Sequence, residues 1–241
     1  DTAQFYGPDV ANELIREALH PYPDDLAIVS KVGSTRDAQG GWNPAQRPEQ
    51  LRAQIEENLR ALGTERLAAV NLRLMPEHPE VDVPLEDQLA AMVQAREDGL
   101  IAGVGVSTAS LEQVQTAMDL ADIVCVQNAF SLLDQTDEDV LRLCERHDVA
   151  YVPYFPLGSA FPHLPKVTDA PHVRAVAERV GATPAQVGLA WLLAHAPNVL
   201  LIPGTSSLDH LEENLAVATV RLTMPDLAEL ARAADDAQDE G

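Results

Sequence analysis

The 241-residue chain is 46% hydrophobic and carries 38 acidic against 16 basic residues, a formal net charge of −22. That length suffices for one globular domain with a large core, and the charge opposes nucleic acid and anionic membrane as partners, since both are held through basic patches. The two cysteines, Cys125 and Cys144, stand too far apart for a metal-ligand pair, no apolar run reaches a membrane span, and no signal-peptide pattern occurs, so a reduced, cytosolic protein is expected.

Apolar runs of strand length alternate with longer amphipathic stretches, the pattern of a parallel sheet built from βα units. In chain order the expected helix Val10–Leu19 is followed by a strand at Leu26–Lys31, a helix at Pro48–Leu62 and a strand at Leu67–Leu74. Then come helix Leu85–Glu97, strand Ile101–Ser107, helix Leu111–Leu120, strand Ile123–Gln127, helix Glu138–Glu145 and strand Ala150–Phe155. Helices at His172–Val180 and Ala185–His195 follow, the second opened by Thr183-Pro184 as cap and first turn. A strand at Val199–Ile202 precedes two closing helices, Leu208–Val217 and Pro225–Ala237. The stretches Gly33–Pro48 and Gly158–Ala170 are the least regular and read as loops over the mouth of a site.

This alternation predicts an α/β fold, a (β/α)8 barrel formed as one domain over residues 1–241. Six strand candidates are two short of eight, and Asp1 stands in what reads as a strand-to-helix loop. A barrel with two neighbouring strands absent would expose unpaired edges, so the first two strands are expected to precede Asp1. In such a barrel the carboxyl ends of the strands converge on one site, which draws attention to Lys31, Arg73, Ser107, Gln127 and Tyr154.

The chemistry concentrates first in Asp1-Thr2-Ala3-Gln4-Phe5-Tyr6-Gly7 and in Lys31, which ends the next strand. A phenol is too weak an acid to serve well at neutral pH, and a neighbouring ammonium favours the phenolate, while a carboxylate holds that ammonium charged and in place. Lys31 is one of two lysines in the chain, the other being Lys166; a chain that otherwise uses arginine keeps here a compact, pKa-tunable cation. The plainer reading of Lys31 alone is a strand-end lysine facing water. The histidines His78, His147, His163, His172 and His195 show no ligand spacing and read as surface side chains, while Glu112 and Asp137 read as helix-start residues.

Taken together, Asp1–Gly7, Val29-Ser30-Lys31-Val32-Gly33, Gly103-Val104-Gly105-Val106-Ser107 and Ile202-Pro203-Gly204-Thr205-Ser206-Ser207-Leu208-Asp209-His210-Leu211-Glu212-Glu213-Asn214 resemble the aldo/keto reductases. The resemblance runs over essentially the whole chain in order. It implies a TIM barrel that binds NADP(H) without a Rossmann fold and reduces small-molecule aldehydes or ketones by direct hydride transfer, with Tyr6 as general acid tuned by Lys31 and Asp1. It also implies that Ser107 and Gln127 bond the nicotinamide carboxamide, that Tyr154 stacks on the ring, and that Pro156-Leu157-Gly158-Ser159 runs under the pyrophosphate. Thr108 stands where asparagine is commoner.

For the adenosine end the resemblance assigns Gly204, Thr205, Ser206, Ser207, His210, Glu213 and Asn214. The three hydroxyl residues sit before or in the first turn of a helix, where free N–H groups favour a phosphate; alone, they would equally make an N-cap cluster. His210 replaces an arginine common in relatives and Gly204 a lysine, so a 2′-phosphate meets fewer fixed charges; NADPH is the cofactor the resemblance implies, with NADH also compatible. One departure concerns the fourth catalytic residue: where most relatives have histidine, this chain has Arg73, with Asn71 two residues earlier on the same face. Arg73 can polarise a carbonyl, or it can pair with Asp1 or another buried carboxylate.

The segments Val70-Asn71-Leu72-Arg73 and Phe155-Pro156-Leu157-Gly158 are most similar to a bacterial subgroup of pyridoxal-reductase-like oxidoreductases, which raises a pyridoxal-type substrate. Phe161 and His163 are further candidate substrate contacts, and Trp42, in the loop after the third strand of the implied barrel, is a candidate lid residue. The competing function is a cofactor-binding sensor on the same scaffold with little turnover.

Overall fold

The computed structural model describes residues 1–75, 78, 81, 83–158 and 165–239, the side chains of 237–239 excepted. The chain divides into two compact units, Asp1–Gln127 and Asn128–Gly241.

The first unit is a four-stranded parallel sheet with helices between successive strands. After α1 (Val10–Leu19) come β1 (Val29–Val32), β2 (Ser34–Arg36), β3 (Trp42–Pro44), α2 (Pro48–Leu62), β4 (Leu67–Arg73), α3 (Leu85–Glu97), β5 (Ile101–Ser107), α4 (Leu111–Leu120) and β6 (Ile123–Gln127). The sheet order is β1-β4-β5-β6. Strands β4 and β5 are buried along almost their whole length, as expected when helices cover a parallel sheet. Leu51, Ile55, Leu59 and Leu62 of α2 put one buried stripe inward, at the spacing that brings residues three and four apart onto one face. Gly63, in the left-handed region at φ 69°, ends that helix, and Ser110 caps α4 by accepting from the Gln113 N–H.

The register aligns the site. Lys31, Asn71, Gly105 and Cys125 share one rung, and Arg73, Ser107 and Gln127 share the rung two residues on, so they stand on the same face nearer the carboxyl ends. A break in register between Val104 and Gly105 marks the β5–β6 pairing. Glycine at 105 is required by that rung, because a Cβ there would stand 2.7 Å from the Cys125 sulfur and collide with the Asn71 side-chain oxygen.

Three expectations change in this unit. The first strand begins at Val29 rather than Leu26. The stretch Gly33–Pro48 is no loop throughout, since β2 and β3 pair as an antiparallel hairpin with Arg36 opposite Trp42. Asp37 builds its turn by accepting from the N–H groups of Gln39 and Gly41, local chemistry that hydrophobic periodicity does not report. Trp42 therefore stands on a strand rather than on a loop.

The second unit contains α5 (Glu138–Arg146), β7 (Ala150–Tyr151), α6 (Pro171–Val180), α7 (Pro184–His195), α8 (Leu208–Leu215) and α9 (Met224–Asp239), with 3-10 turns at Val167–Asp169 and Ala216–Thr219. Helix α6 packs on α7 and α9. Thr183 caps α7 as expected, accepting from the Gln186 N–H. The strand expected at Ala150–Phe155 stops at Tyr151. Val199–Ile202 forms no strand; its one ladder contact is an isolated bridge from Val199 to Tyr151. His195 is not a surface side chain: it stacks on Trp191 at 4.4 Å and hydrogen-bonds Glu138 at 2.8 Å. The Asp137 side chain makes no cap to α5 and instead accepts from Asn128 at 2.9 Å, and burial raises its pKa.

Candidate active site

The site grows from a buried polar chain beneath the segment that carries Asp1. Thr2 Oγ donates to Asn12 Oδ1 at 2.9 Å, and Asn12 Nδ2 donates to Asn58 Oδ1 at 2.9 Å. Ser30 Oγ donates to the same Asn58 oxygen at 2.7 Å, while Asn58 Nδ2 donates to the Gln54 carbonyl at 2.8 Å. Gln54 completes the set, accepting from the Gly33 N–H and donating to the Ala45 carbonyl. Thr2, Asn12, Ser30 and Asn58 are at most 1% exposed, so each bond is made away from water. The chain joins α1 and α2 to the residues on either side of the Asp1–Lys31 pair. No sequence pattern marked it, because an asparagine on an amphipathic helix reads as part of the wet face.

On this base the predicted proton-donor set comes together. Lys31, 3% exposed, is ion-paired with Asp1, whose side chain is 12% exposed, and its Nζ also donates to the Thr2 carbonyl at 3.2 Å. The plain reading of Lys31 as a water-facing lysine is thereby excluded. Gln127 Nε2 donates to the second Asp1 oxygen at 2.6 Å, so the carboxylate is held from two sides. The Lys31 ammonium lies 5.1 Å from the Tyr6 ring centroid, and Tyr6 is 40% exposed. A reacting group from solvent can thus reach the phenol while its partner cation cannot be reached. Burial lowers the Lys31 pKa; the Tyr6 phenol opposes this and the Arg73 cation adds to it.

Arg73 does not pair with Asp1. Its guanidinium lies 4.8 Å from the Trp42 ring centroid, and its Nε is buried with no hydrogen-bond partner among the described residues. Trp42 meets Phe5 edge-on at 5.1 Å, and Phe5 meets Tyr6 edge-on at 5.4 Å, so the hairpin strand carrying Trp42 is tied to the Tyr6 turn. Behind the front rung, the Cys125 thiol donates to Asn71 Oδ1 at 3.1 Å, and burial pushes its pKa up to about 11. That inert thiol packs the space under Lys31.

The residues assigned to a nicotinamide cofactor fit such a group where they can be judged in the first unit. Gln127 Oε1 is buried and lacks a partner among the described residues, an acceptor that a carboxamide N–H would answer. Ser107, fully buried, stands beside it on the same rung. Thr108 has φ 58°, a left-handed conformation costly for a β-branched residue and better tolerated by asparagine.

In the second unit, Tyr154 is bridged to Ala129 and meets Phe155 edge-on. Pro156, Leu157 and Gly158 form a tight loop in which Gly158 has φ 90° and a Cβ would collide with the Pro165 carbonyl. Ser159, Phe161 and His163 lie outside the described residues. Ser207 Oγ caps α8 by accepting from the His210 N–H, and Thr205 Oγ accepts from the Ser207 N–H in the turn before it, so both hydroxyls are already engaged. Gly204, Ser206 and His210 are exposed at that helix start. Glu213 accepts from Thr183 through its side chain and from Gln186 through its carbonyl, and Asn214 donates to the Pro203 carbonyl at 3.5 Å. Among the described residues no group of His, Cys, Asp and Glu could hold a metal ion, and no helix is long and apolar enough to cross a membrane.

The profile of the aldo/keto reductase family matches residues 1–235. The chain belongs to the aldo/keto reductase family. It is 42% identical to pyridoxine 4-dehydrogenase of Escherichia coli over 225 residues, covering 92% of this chain and 77% of that one. It is 35% identical to an uncharacterised oxidoreductase of Schizosaccharomyces pombe over 231 residues, or 95% of this chain and 72% of the relative. Among solved structures, an aldo/keto reductase from Klebsiella pneumoniae in complex with NADP and acetate superposes with TM-score 0.81 at 28% identity, over 96% of this chain and 78% of that one. A thermostable aldo/keto reductase in complex with the inhibitor epalrestat gives TM-score 0.82 at 30% identity, over 97% and 81% of the two chains. These likenesses place the chain in the α/β barrel fold class of the family, and it is an oxidoreductase.

Proposed function

We propose that this chain reduces an aldehyde or ketone to an alcohol, with Tyr6 as general acid, Lys31 and Asp1 as the pair that tunes it, and Arg73 as the group that polarises the carbonyl. The observation that carries this reading is the exposed Tyr6 phenol set against a buried Lys31 locked to Asp1. NADP(H), when bound, supplies the hydride. Ser107 and Gln127 would hold its carboxamide, Tyr154 its ring, Pro156, Leu157 and Gly158 its pyrophosphate, and Gly204, Thr205, Ser206, Ser207, His210, Glu213 and Asn214 its adenosine end. The domain carrying these residues spans 1–241, and the two cysteines, neither in a disulfide, accord with a reducing cytosol.

As the carbonyl carbon gains a hydride, its oxygen takes the Tyr6 hydroxyl proton, and the Lys31 ammonium stabilises the phenolate left behind. Asp1, fixed by Gln127, keeps Lys31 charged against the burial that disfavours it. Arg73, half-buried at the carboxyl end of β4, would offer the N–H groups of its guanidinium to the carbonyl oxygen.

The substrate we propose is of pyridoxal type. Support comes from the relative at 42% identity, named for pyridoxine oxidation, and reduction and oxidation of one aldehyde–alcohol pair share a transition state. The test follows NADPH absorbance with pyridoxal and a panel of simple aldehydes. Pyridoxal is expected to give the highest kcat/KM. Pyridoxal turning over no faster than simple aldehydes would remove the substrate assignment, and NADPH binding without reduction of any carbonyl would replace the enzyme by the sensor.

A further inference from the structure

The hairpin missed in the sequence places a second arginine beside the site. Arg36 on β2 lies opposite Trp42 on β3, with its guanidinium carbon 3.5 Å from the indole centroid, and Arg73 lies 4.8 Å from the same ring. One indole thus carries two guanidinium groups, and Phe5 links that indole edge-on to Tyr6. Arg36 is fixed further by donating to the Gly40 carbonyl at 2.6 Å. Two like charges on one ring repel each other, and the indole compensates by only about 0.5–2 kcal/mol per contact. The arrangement therefore gains from an anion that answers both.

The local charge balance points the same way. Lys31, Arg36 and Arg73 gather around Tyr6 and Trp42 in a chain of net charge −22, and among the described residues the carboxylate in direct contact with them, Asp1, is taken by Lys31 and Gln127. Asp37, next to Arg36, keeps its charge but commits Oδ1 to the hairpin turn, which leaves three cations against two carboxylates among the described residues. A locally cationic, aromatic wall in a strongly acidic protein favours anionic ligands over the neutral ones of equal shape.

We propose that Arg36 and Arg73, stacked on Trp42, form an anion-recognising wall that selects carbonyl substrates carrying a negatively charged oxygen group, a carboxylate, phenolate or phosphate, on a conjugated ring. The ring packs against Trp42 and the charged oxygens take guanidinium N–H bonds, which are stronger than neutral ones and geometrically selective for paired oxygens. Arg36 and Trp42 are then specificity residues. The proposal rests on the reading of Tyr6 as proton donor only for its catalytic consequence; the binding it describes does not need turnover.

Two measurements test it. In the first, 4-carboxybenzaldehyde is compared with methyl 4-formylbenzoate, and 4-formylphenyl phosphate with its dimethyl ester, in the wild type, Arg36→Gln and Arg36→Lys. The wild type is expected to favour the charged member by about tenfold in kcat/KM, the size of one charge-assisted hydrogen bond, and less so as salt is raised. Preference in only one pair identifies which anion, carboxylate or phosphate, the wall accepts. Arg36→Gln should remove most of the preference and Arg36→Lys restore part of it. In the second, 4-(hydroxymethyl)benzoate and its methyl ester are titrated in the presence of NADP+ with tryptophan fluorescence as readout, and Trp42→Phe should lose the response. Equal treatment of charged and neutral partners by the wild type, or an undiminished preference in folded Arg36→Gln, overturns the proposal. Selective binding of the benzoate without reduction of any aldehyde keeps the anion wall and overturns the catalytic reading instead.

Discussion

Replacing Asn58 by alanine tests whether the buried chain under Asp1 determines the site. Asn58 Oδ1 accepts from both Asn12 and Ser30, and its Nδ2 donates to the Gln54 carbonyl. Truncation strands two buried donors, each costing about 1–3 kcal/mol when left without an acceptor. Even at the low end, with Ser30 able to turn its hydroxyl, the loss should be about 3 kcal/mol once the small cavity is included. For a chain of this length that lowers the melting midpoint by roughly 6–12 °C. Asn58→Asp, which keeps the acceptor, should cost through the buried charge but hold Asn12 and Ser30 in place. Thermal unfolding followed by circular dichroism gives the stability, with exposed Arg60→Ala as a control expected to stay within about 0.5 kcal/mol of wild type. The second readout is the pH profile of kcat: because the network carries Thr2, whose carbonyl accepts from Lys31, its loss should move the profile in the surviving folded enzyme. A destabilisation below about 1 kcal/mol with an unchanged profile would refute the reasoning.

Three further outcomes follow from other parts of the molecule. Gly105→Ala should cost about 1–3 kcal/mol in chemical denaturation, because its Cβ meets the Cys125 sulfur at 2.7 Å and the Cys125 carbonyl at 2.8 Å. Asp226 accepts from both the N–H and the hydroxyl of Thr223 and from Arg179, bonds that hold its carboxyl at a pKa of about 2. A lowered native pKa contributes stability that is full above the ordinary carboxylate range and is lost as pH falls through about 2. Asp226→Asn should therefore cost about 2 kcal/mol at pH 7, with the gap from wild type closing between about pH 4 and pH 2 in parallel melts. Cys125, its thiol pushed up to about 11 by burial, should alkylate with iodoacetamide at pH 8 at least about a hundredfold more slowly in the native protein than in urea, read by peptide mass spectrometry.

The parts of the fold visible in the sequence are those where local signals agree. Helices α1 to α4 fall on their expected limits, and for α2 and α4 the stop at Gly63 and the cap at Ser110 give the reason. Strands β5 and β6 likewise stand out as short apolar runs that each end in one polar residue, Ser107 and Gln127. Asp1, Tyr6 and Lys31 were legible because their residue types and order are specific. Arg36 was not: its meeting with Trp42 depends on the Asp37 turn closing a hairpin between two short segments without alternation. Asn12 and Asn58 were hidden for a related reason, since burial there comes from the packing of α1 on α2 and of α2 on β1 rather than from any single periodicity. Val199–Ile202 erred in the opposite direction: it is apolar enough for a strand, but its pairing stops at one bridge.

The central claim is that Tyr6 gives the proton that completes carbonyl reduction. Tyr6→Phe removes only the hydroxyl and leaves the ring that packs edge-on against Phe5. Single-turnover NADPH oxidation with the best aldehyde of the panel, alongside NADPH binding by fluorescence, measures its effect directly. The account predicts a fall of about 10²–10⁴ in rate with cofactor affinity unchanged; a variant that reduces the aldehyde at close to the wild-type rate would contradict it.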